Sequence, residues 1–125
     1  MSRGTVLIVD DEPQVREVLQ EFLTERGYAV VAVGSGDEAL AAVEARPLDL
    51  VLLDVAMPGM DGVEILRRIA ALQPALRVIM VTANVDVGTT SKLLAMGAVD
   101  YIPKPFDLDY LDQAVSVQVA AAQDR

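Results

Sequence analysis

Short runs of consecutive apolar residues recur five times along the chain, and they do not alternate with polar residues. The segments that contain them span residues 5–9, 28–33, 50–53, 77–81 and 98–102, in which only Thr5, Arg77 and Asp100 are polar. A run that is apolar at nearly every position is typical of a strand buried on both faces of a parallel sheet. The pattern therefore predicts five buried parallel strands.

The stretches between these runs carry apolar residues at helical spacing, together with start and stop signals. Pro13 fits the first turn of a helix that ends near Gly27. Ser35 with Glu38 forms a capping box for the next helix. Acidic residues head the other three predicted helices: Asp61, Asp86 and Asp107. Strand and helix thus alternate, which predicts an α/β fold, a doubly wound parallel sheet with helices on both faces.

Length and composition narrow the class of protein. The 125 residues predict a single domain over residues 1–125, with a core at about 4–121. The sequence holds no cysteine and no histidine, which excludes disulfides, thiolate ligands, imidazole bases and the usual zinc ligands. A net charge of −9 disfavours direct nucleic-acid binding. Without an apolar run of ~18 residues or a signal peptide, we expect a cytoplasmic domain that does not associate with membranes.

Polar residues follow several of the predicted strands at the point where each strand ends. The carboxyl ends of parallel strands share one edge of the sheet, and that edge carries Asp10, Asp11, Asp54, Thr82 and Lys104. Each residue alone also fits a structural role: the aspartates as turn or helix caps, the threonine as a strand end, the lysine as a surface residue. Their convergence on one edge favours a functional site.

Carboxylates crowded at one edge require a neutralising partner. At ~5 Å and an effective dielectric constant of ~20, each ionised pair repels by roughly 3 kcal/mol. Partial protonation or a divalent cation would relieve this, and oxygen-only ligands suit Mg²⁺. An ionised Asp54 could then attack phosphorus and form an acyl phosphate. The ammonium of Lys104 and the hydroxyl of Thr82 would stabilise the transferred charge.

Four segments of the chain together resemble the receiver domain of two-component response regulators, in particular the single-domain receivers similar to the chemotaxis regulator. The segments are LIVDDEP (7–13), LLDVAMPGMDG (52–62), VTAN (81–84) and MGAVDYIPKPF (96–106). The resemblance covers essentially the whole chain. It implies a flavodoxin-like sheet with strand order 2-1-3-4-5 and five helices.

The same resemblance implies roles for the acidic residues. Asp54 corresponds to the aspartate that accepts a phosphoryl group from a sensor histidine kinase or a histidine phosphotransfer protein. Asp10, Asp11, Asp54 and the backbone carbonyl of Ala56 would hold Mg²⁺, with Mn²⁺ as a substitute. The domain would catalyse its own phosphotransfer and autodephosphorylation, and would not be a free-standing metabolic enzyme.

The resemblance also implies a conformational switch. Thr82 and Lys104 would bind the phosphoryl oxygens, and Tyr101 would turn inward as Thr82 moves. The Lys104–Pro105 bond is expected to be cis, which would aim the ammonium inward. The downstream protein would bind the face made by the fourth helix, the fifth strand and the fifth helix, and the domain would be a monomer or weak dimer.

The resemblance further suggests where the phosphoryl donor docks. In this family the kinase contacts the first helix and the loop after the fifth strand. That surface makes Gln14, Val18 and Phe106 the expected contacts in this chain.

Two other interpretations fit parts of the sequence. Residues 34–39 match the dinucleotide-binding pattern G-x-G-x-x-[GA], with Asp54 about twenty residues further on. Asp37 and Glu38, however, would place negative charge at the helix end that should hold pyrophosphate. The alternative function is a pseudo-receiver, an interaction module with the same fold that works without phosphorylation.

Overall fold

The computed structural model describes residues 2–55, 62–83 and 87–124, except for the side chains of residues 87 and 89. The strands are β1 Thr5–Val9, β2 Ala29–Val33, β3 Leu50–Asp54, β4 Arg77–Thr82 and β5 Asp100–Pro103. The helices are α1 Pro13–Glu25, α2 Gly36–Ala45, α3 Gly62–Leu72, α4 Val87–Ala95 and α5 Leu108–Gln123. Strand and helix alternate along the chain as the hydrophobic pattern predicts.

The strands form one sheet in the order β2-β1-β3-β4-β5, and every pairing is parallel. The predicted α/β class and strand order are therefore confirmed. The register places Val9 beside Leu53 and Asp54 beside Val81. Strands β1, β3 and β4 thus end close together at one edge of the sheet.

Both faces of the sheet are covered by helices, which explains why the strands are apolar at most positions. On one face, Leu7 and Val9 of β1 join a core cluster with α2 and α3. On the other face, Val6 and Ile8 join a cluster with α1 and α5. Among the described residues, no helix combines the length and the apolar character needed to cross a bilayer.

Two strands begin later than the hydrophobic pattern predicts. Tyr28 and Ala98 were expected to lie in β2 and β5, but each donates its backbone N–H to the helix carbonyl five residues earlier, at 3.1 Å. The glycines before them, Gly27 and Gly97, have φ of 94° and 113°, the left-handed conformation that ends many helices. The residue after each glycine therefore forms the hydrogen bond that ends the preceding helix, and the strand begins after it.

The predicted helix starts within the described residues are confirmed. The Ser35 hydroxyl accepts a hydrogen bond from the backbone N–H of Glu38 at 3.2 Å and donates to its carboxylate at 3.1 Å. At α5, the Asp107 carboxylate accepts from two backbone N–H groups, at 2.9 and 3.2 Å. The predicted caps Asp61 and Asp86 lie outside the described residues.

Candidate functional site

The carboxyl edge of the sheet holds a small group of buried polar side chains. Asp10 directly follows β1, Asp54 ends β3 and Thr82 ends β4, and they are 2%, 4% and 2% exposed. Within the described ranges, and leaving tyrosine aside, these three are the buried polar residues. Because burial of such groups is costly unless they interact, their concentration at one edge marks the site.

Lys104 lies between carboxylates that come from two different strands. Its Nζ donates to Asp10 Oδ2 at 2.9 Å and to Asp54 Oδ2 at 3.3 Å, and lies 3.6 Å from Glu12 Oε1. Its backbone N–H donates to the carbonyl of Thr82 at 2.8 Å, which ties the loop after β5 to the end of β4. The Lys104–Pro105 peptide bond is cis, as the sequence resemblance implied. The structure thus brings four predicted site residues together.

The ammonium of Lys104 compensates the negative charge of the site. Burial alone lowers the pKa of Lys104, but the hydrogen bonds and charges of Asp10 and Asp54 outweigh burial, so the pKa is raised above its ordinary value. The lysine therefore stays protonated at neutral pH. Its charge thus offsets part of the negative charge of the two buried carboxylates.

Three consecutive acidic residues in the loop between β1 and α1 form a carboxylate cluster. One carboxylate oxygen from each of Asp10, Asp11 and Glu12 lies within 4.8 Å of the others. Asp10 does not simply cap α1: the N-cap is Glu12, without a side-chain cap bond, and Asp10 Oδ1 accepts the N–H of Glu12 at 2.9 Å. An oxygen-only donor set of this kind fits a hard divalent cation.

The observed cluster shares Asp10 and Asp11 with the predicted metal ligands, but it contains Glu12 and not Asp54. Glu12 was not predicted, although it continues the acidic run, because a sequence does not show how the loop turns. Asp54 is linked to the cluster by Lys104, whose ammonium contacts the carboxylates of both Asp10 and Asp54. Ala56, whose carbonyl was the remaining predicted ligand, lies outside the described residues.

Tyr101, the predicted switch residue, lies in β5. Its side chain is half-buried and packs against the core cluster that includes Met80 and Leu93. Its neighbour Asp100 accepts a hydrogen bond from the hydroxyl of Tyr110, at 3.3 Å to Oδ2, which connects β5 to α5. The role of Tyr101 as a switch stays a prediction.

Gly62 brings the start of α3 against the end of β3. Its N–H donates to the carbonyl of Val55 at 2.9 Å. A Cβ at this position would lie 2.5 Å from the Cα of Val55 and 2.8 Å from the carbonyl oxygen of Asp54. Both neighbours are backbone atoms that cannot move aside. The close contact between the start of α3 and the end of β3, where Asp54 lies, therefore requires glycine at position 62.

We expect Gly62→Ala to lower the free energy of unfolding by about 2 kcal/mol, because the added methyl group forces the backbone apart. Urea unfolding followed by circular dichroism measures this change. The same substitution at the exposed Gly88 of α4 is the control. It should be neutral or stabilising by up to about 1 kcal/mol, since alanine favours helix. Equal losses in the two variants would contradict the close-approach argument.

Comparison with known proteins gives consistent matches over most of the chain. The family model described as "Response regulator receiver domain" matches residues 6–116. The DNA-binding transcriptional regulator NtrC of Klebsiella pneumoniae is 41% identical over 93% of this chain, which spans only 26% of that protein. The sporulation initiation phosphotransferase F of Bacillus subtilis is 38% identical, and the match covers 92% of this chain and 93% of that protein.

Solved structures are similar as well. A CheY-like response regulator receiver domain protein from Methanospirillum hungatei has a TM-score of 0.91 and 29% identity, with 96% of each chain covered. A response regulator described as putative, from Chloroflexus aurantiacus, has a TM-score of 0.87 and 35% identity, with 94% of this chain and 98% of that chain covered. The similarity therefore extends over the sheet and its helices.

Proposed function

Because the chain belongs to the response regulator receiver domain family of two-component systems, we propose that Asp54 is its phosphoryl acceptor and that phosphorylation switches the domain. The observation that carries this proposal is the buried Asp54 carboxylate, in contact with the Lys104 ammonium at the carboxyl edge of the sheet. A buried carboxylate beside a fixed cation is suited to receive and hold a negatively charged group.

The proposed reaction moves one phosphoryl group from a phosphohistidine of the donor protein. A carboxylate oxygen of Asp54 attacks phosphorus, the new O–P bond forms as the P–N bond breaks, and the imidazole nitrogen of the donor keeps the electron pair and takes up a proton. Lys104 Nζ lies 3.3 Å from Asp54 Oδ2 and would neutralise the phosphoryl oxygens. The hydroxyl of Thr82, buried at the end of the adjacent strand β4, is the second proposed donor to them.

The carboxylates of the site also support a proposal for the cofactor. Asp10, Asp11 and Asp54 would hold Mg²⁺, or Mn²⁺ in its place, with the carbonyl of Ala56 as a further ligand. Glu12 belongs to the same carboxylate cluster as Asp10 and Asp11. When bound, the cation supplies positive charge that offsets both the carboxylates and the incoming phosphate. These residues would set the position of the cation, since they lie at the ends of β1 and β3.

The switch would transmit phosphorylation to a surface at α4, β5 and α5. The added negative charge favours a rearrangement in which Thr82 approaches the phosphoryl group and Tyr101 turns inward. Leu94, Tyr110 and Val117 expose 44%, 41% and 58% of their surface on these helices. We propose that this face binds a downstream protein, since a domain with a net charge of −9 repels nucleic acid.

Exposure to a small acyl phosphate or phosphoramidate with Mg²⁺, followed by intact-mass measurement, tests the proposed function. We expect a mass gain of one phosphoryl group that is lost in acid, because acyl phosphates hydrolyse readily. An unchanged mass would favour the pseudo-receiver interpretation, in which the domain works by protein contacts alone.

The proposed donor surface combines α1 with the loop between β5 and α5. Val18 is 50% exposed, and a cavity of about 200 Å³ beside it is lined by apolar and acidic residues, namely Val18, Glu21, Phe22, Glu25 and Leu108. Gln14 and Phe106 are the other predicted contacts. An apolar patch with two carboxylates suits a donor helix that carries apolar and basic residues.

We expect Val18→Glu to slow phosphotransfer from a histidine kinase or histidine phosphotransfer protein by about tenfold, a loss of ~1.4 kcal/mol in docking. The substitution places a charge at an apolar contact. Leu72→Glu, at an exposed position of α3, is the matched control and should transfer at the wild-type rate. The rate of phosphorylation by a small phosphodonor should be unchanged in both variants. If Val18→Glu slowed that reaction as much as it slows transfer from the protein donor, the substitution would act on the site and not on docking.

A further inference from the structure

One guanidinium, that of Arg16, binds the main chain of the acidic loop. Arg16 lies in α1, and its Nη1 donates to the carbonyl oxygen of Asp10 at 2.7 Å. The other polar groups of Asp10 are also bonded: its N–H donates to the carbonyl of Val33, and its two carboxylate oxygens accept from Glu12 N and Lys104 Nζ. Asp10 is therefore held from four directions, and Arg16 provides the contact to its carbonyl.

The position of the guanidinium depends on a glycine after β2. A Cβ on Gly34 would lie 2.8 Å from Arg16 Nη1 and 3.4 Å from Arg16 Cζ. Gly34 is not among the glycines with positive φ, so its backbone conformation does not demand glycine. What the position requires is the space occupied by the Arg16 side chain. This accounts for the first glycine of the dinucleotide-like pattern without a nucleotide.

We propose that Arg16 is a positioning residue for the metal-binding loop, and that Gly34 leaves the room it needs. The inference rests on the proposed function, because the loop is the one whose carboxylates would hold Mg²⁺. By fixing the Asp10 carbonyl, Arg16 sets the direction in which the chain continues to Asp11 and Glu12. Repulsion between these carboxylates would otherwise push them apart in the metal-free protein. The bond from Arg16 therefore orients them before the cation binds.

The sign of the effect on metal binding separates positioning from simple electrostatics. Removal of a positive charge close to a cation site should tighten Mg²⁺ binding if charge alone matters. Loss of a group that orients ligands should weaken it, typically by tenfold or more. We expect Arg16→Ala to raise the Mg²⁺ dissociation constant by about tenfold, and Arg16→Lys, which keeps one donor for the carbonyl, to recover part of the affinity.

Gly34→Ala provides an independent route to the same change, because it keeps the charge of Arg16 but displaces its guanidinium. We expect this variant to lose Mg²⁺ affinity about as much as Arg16→Ala, and the double variant to lose no more than either single one. Arg46→Ala, at the exposed end of α2, is the control and should bind as the wild type does.

Isothermal titration with Mg²⁺ measures the affinities, and circular dichroism verifies that each variant is folded. Amide NMR shifts of Asp11 and Glu12 in metal-free protein should move in both Arg16→Ala and Gly34→Ala. Unchanged or tighter binding in either variant, additive losses in the double variant, or a wild type that binds no Mg²⁺ would overturn the proposal. A wild-type domain that binds Mg²⁺ but gains no phosphoryl group would instead overturn the proposed function.

Discussion

Asp54→Asn is expected to abolish the gain of an acid-labile phosphoryl group completely, while the domain stays folded. The amide has nearly the same size and shape as the carboxylate, but it is neutral and is a poor nucleophile toward phosphorus. We expect Lys104 to keep the bond to Asp10 that it makes at 2.9 Å in the wild type, so the surroundings of residue 54 should be largely preserved. The loss therefore reports on the chemistry of this side chain and not on the fold.

Intact mass after incubation with a small phosphodonor and Mg²⁺ measures this loss. Asp37→Asn, at an exposed position in the first turn of α2, makes the same chemical change and should leave the mass gain at its wild-type level. A gain that persists in Asp54→Asn would show that another group accepts the phosphoryl group. Circular dichroism of both variants separates a chemical effect from unfolding.

Lys104→Met is expected to lower the free energy of unfolding in metal-free buffer by about 3 kcal/mol, the cost of breaking a buried ion pair by removing one partner. Methionine retains much of the length of the lysine side chain but not its charge. Asp10 and Asp54, 2% and 4% exposed, would then lie close together without the ammonium. Because a divalent cation can neutralise the same carboxylates, Mg²⁺ should raise the melting temperature of the variant more than that of the wild type.

The pH dependence of stability provides a second measure of the same contacts. Burial lowers the pKa of Lys104, but the bonds and charges of Asp10 and Asp54 raise it above the ordinary 10.5 in the folded state. The contribution of Lys104 is therefore fully present below pH 10.5, and it is lost as pH rises through the raised pKa. The stability difference between wild type and Lys104→Met should shrink over that alkaline range.

Lys92→Met is the matched control for these measurements, because Lys92 is exposed on α4. Its replacement should change the free energy of unfolding by less than about 0.5 kcal/mol and leave the alkaline profile as in the wild type. Equal stability of Lys104→Met and Lys92→Met in metal-free buffer would contradict the view that the ammonium holds the two carboxylates together.

The amino-acid sequence by itself determined where the strands form, and it determined the caps of helices α2 and α5. Consecutive apolar residues specify strands that are buried on both faces, and Ser35 and Asp107 cap helices through bonds to residues at most three positions away. These interactions are local, so the pattern predicts them well. β2 and β5 start further along than the hydrophobic pattern predicts, because a continuing apolar run does not show that Tyr28 and Ala98 bond back to the preceding helices.

The sequence also predicted that Asp10, Asp54, Thr82 and Lys104 share an edge, because all parallel strands end there. Only the tertiary structure decided which atoms meet. Lys104 contacts carboxylates that lie 94 and 50 residues away along the chain, and Arg16 reaches the Asp10 carbonyl across space that Gly34 leaves open. Such contacts depend on strand order and loop direction, which are properties of the packed sheet and not of any local stretch of residues.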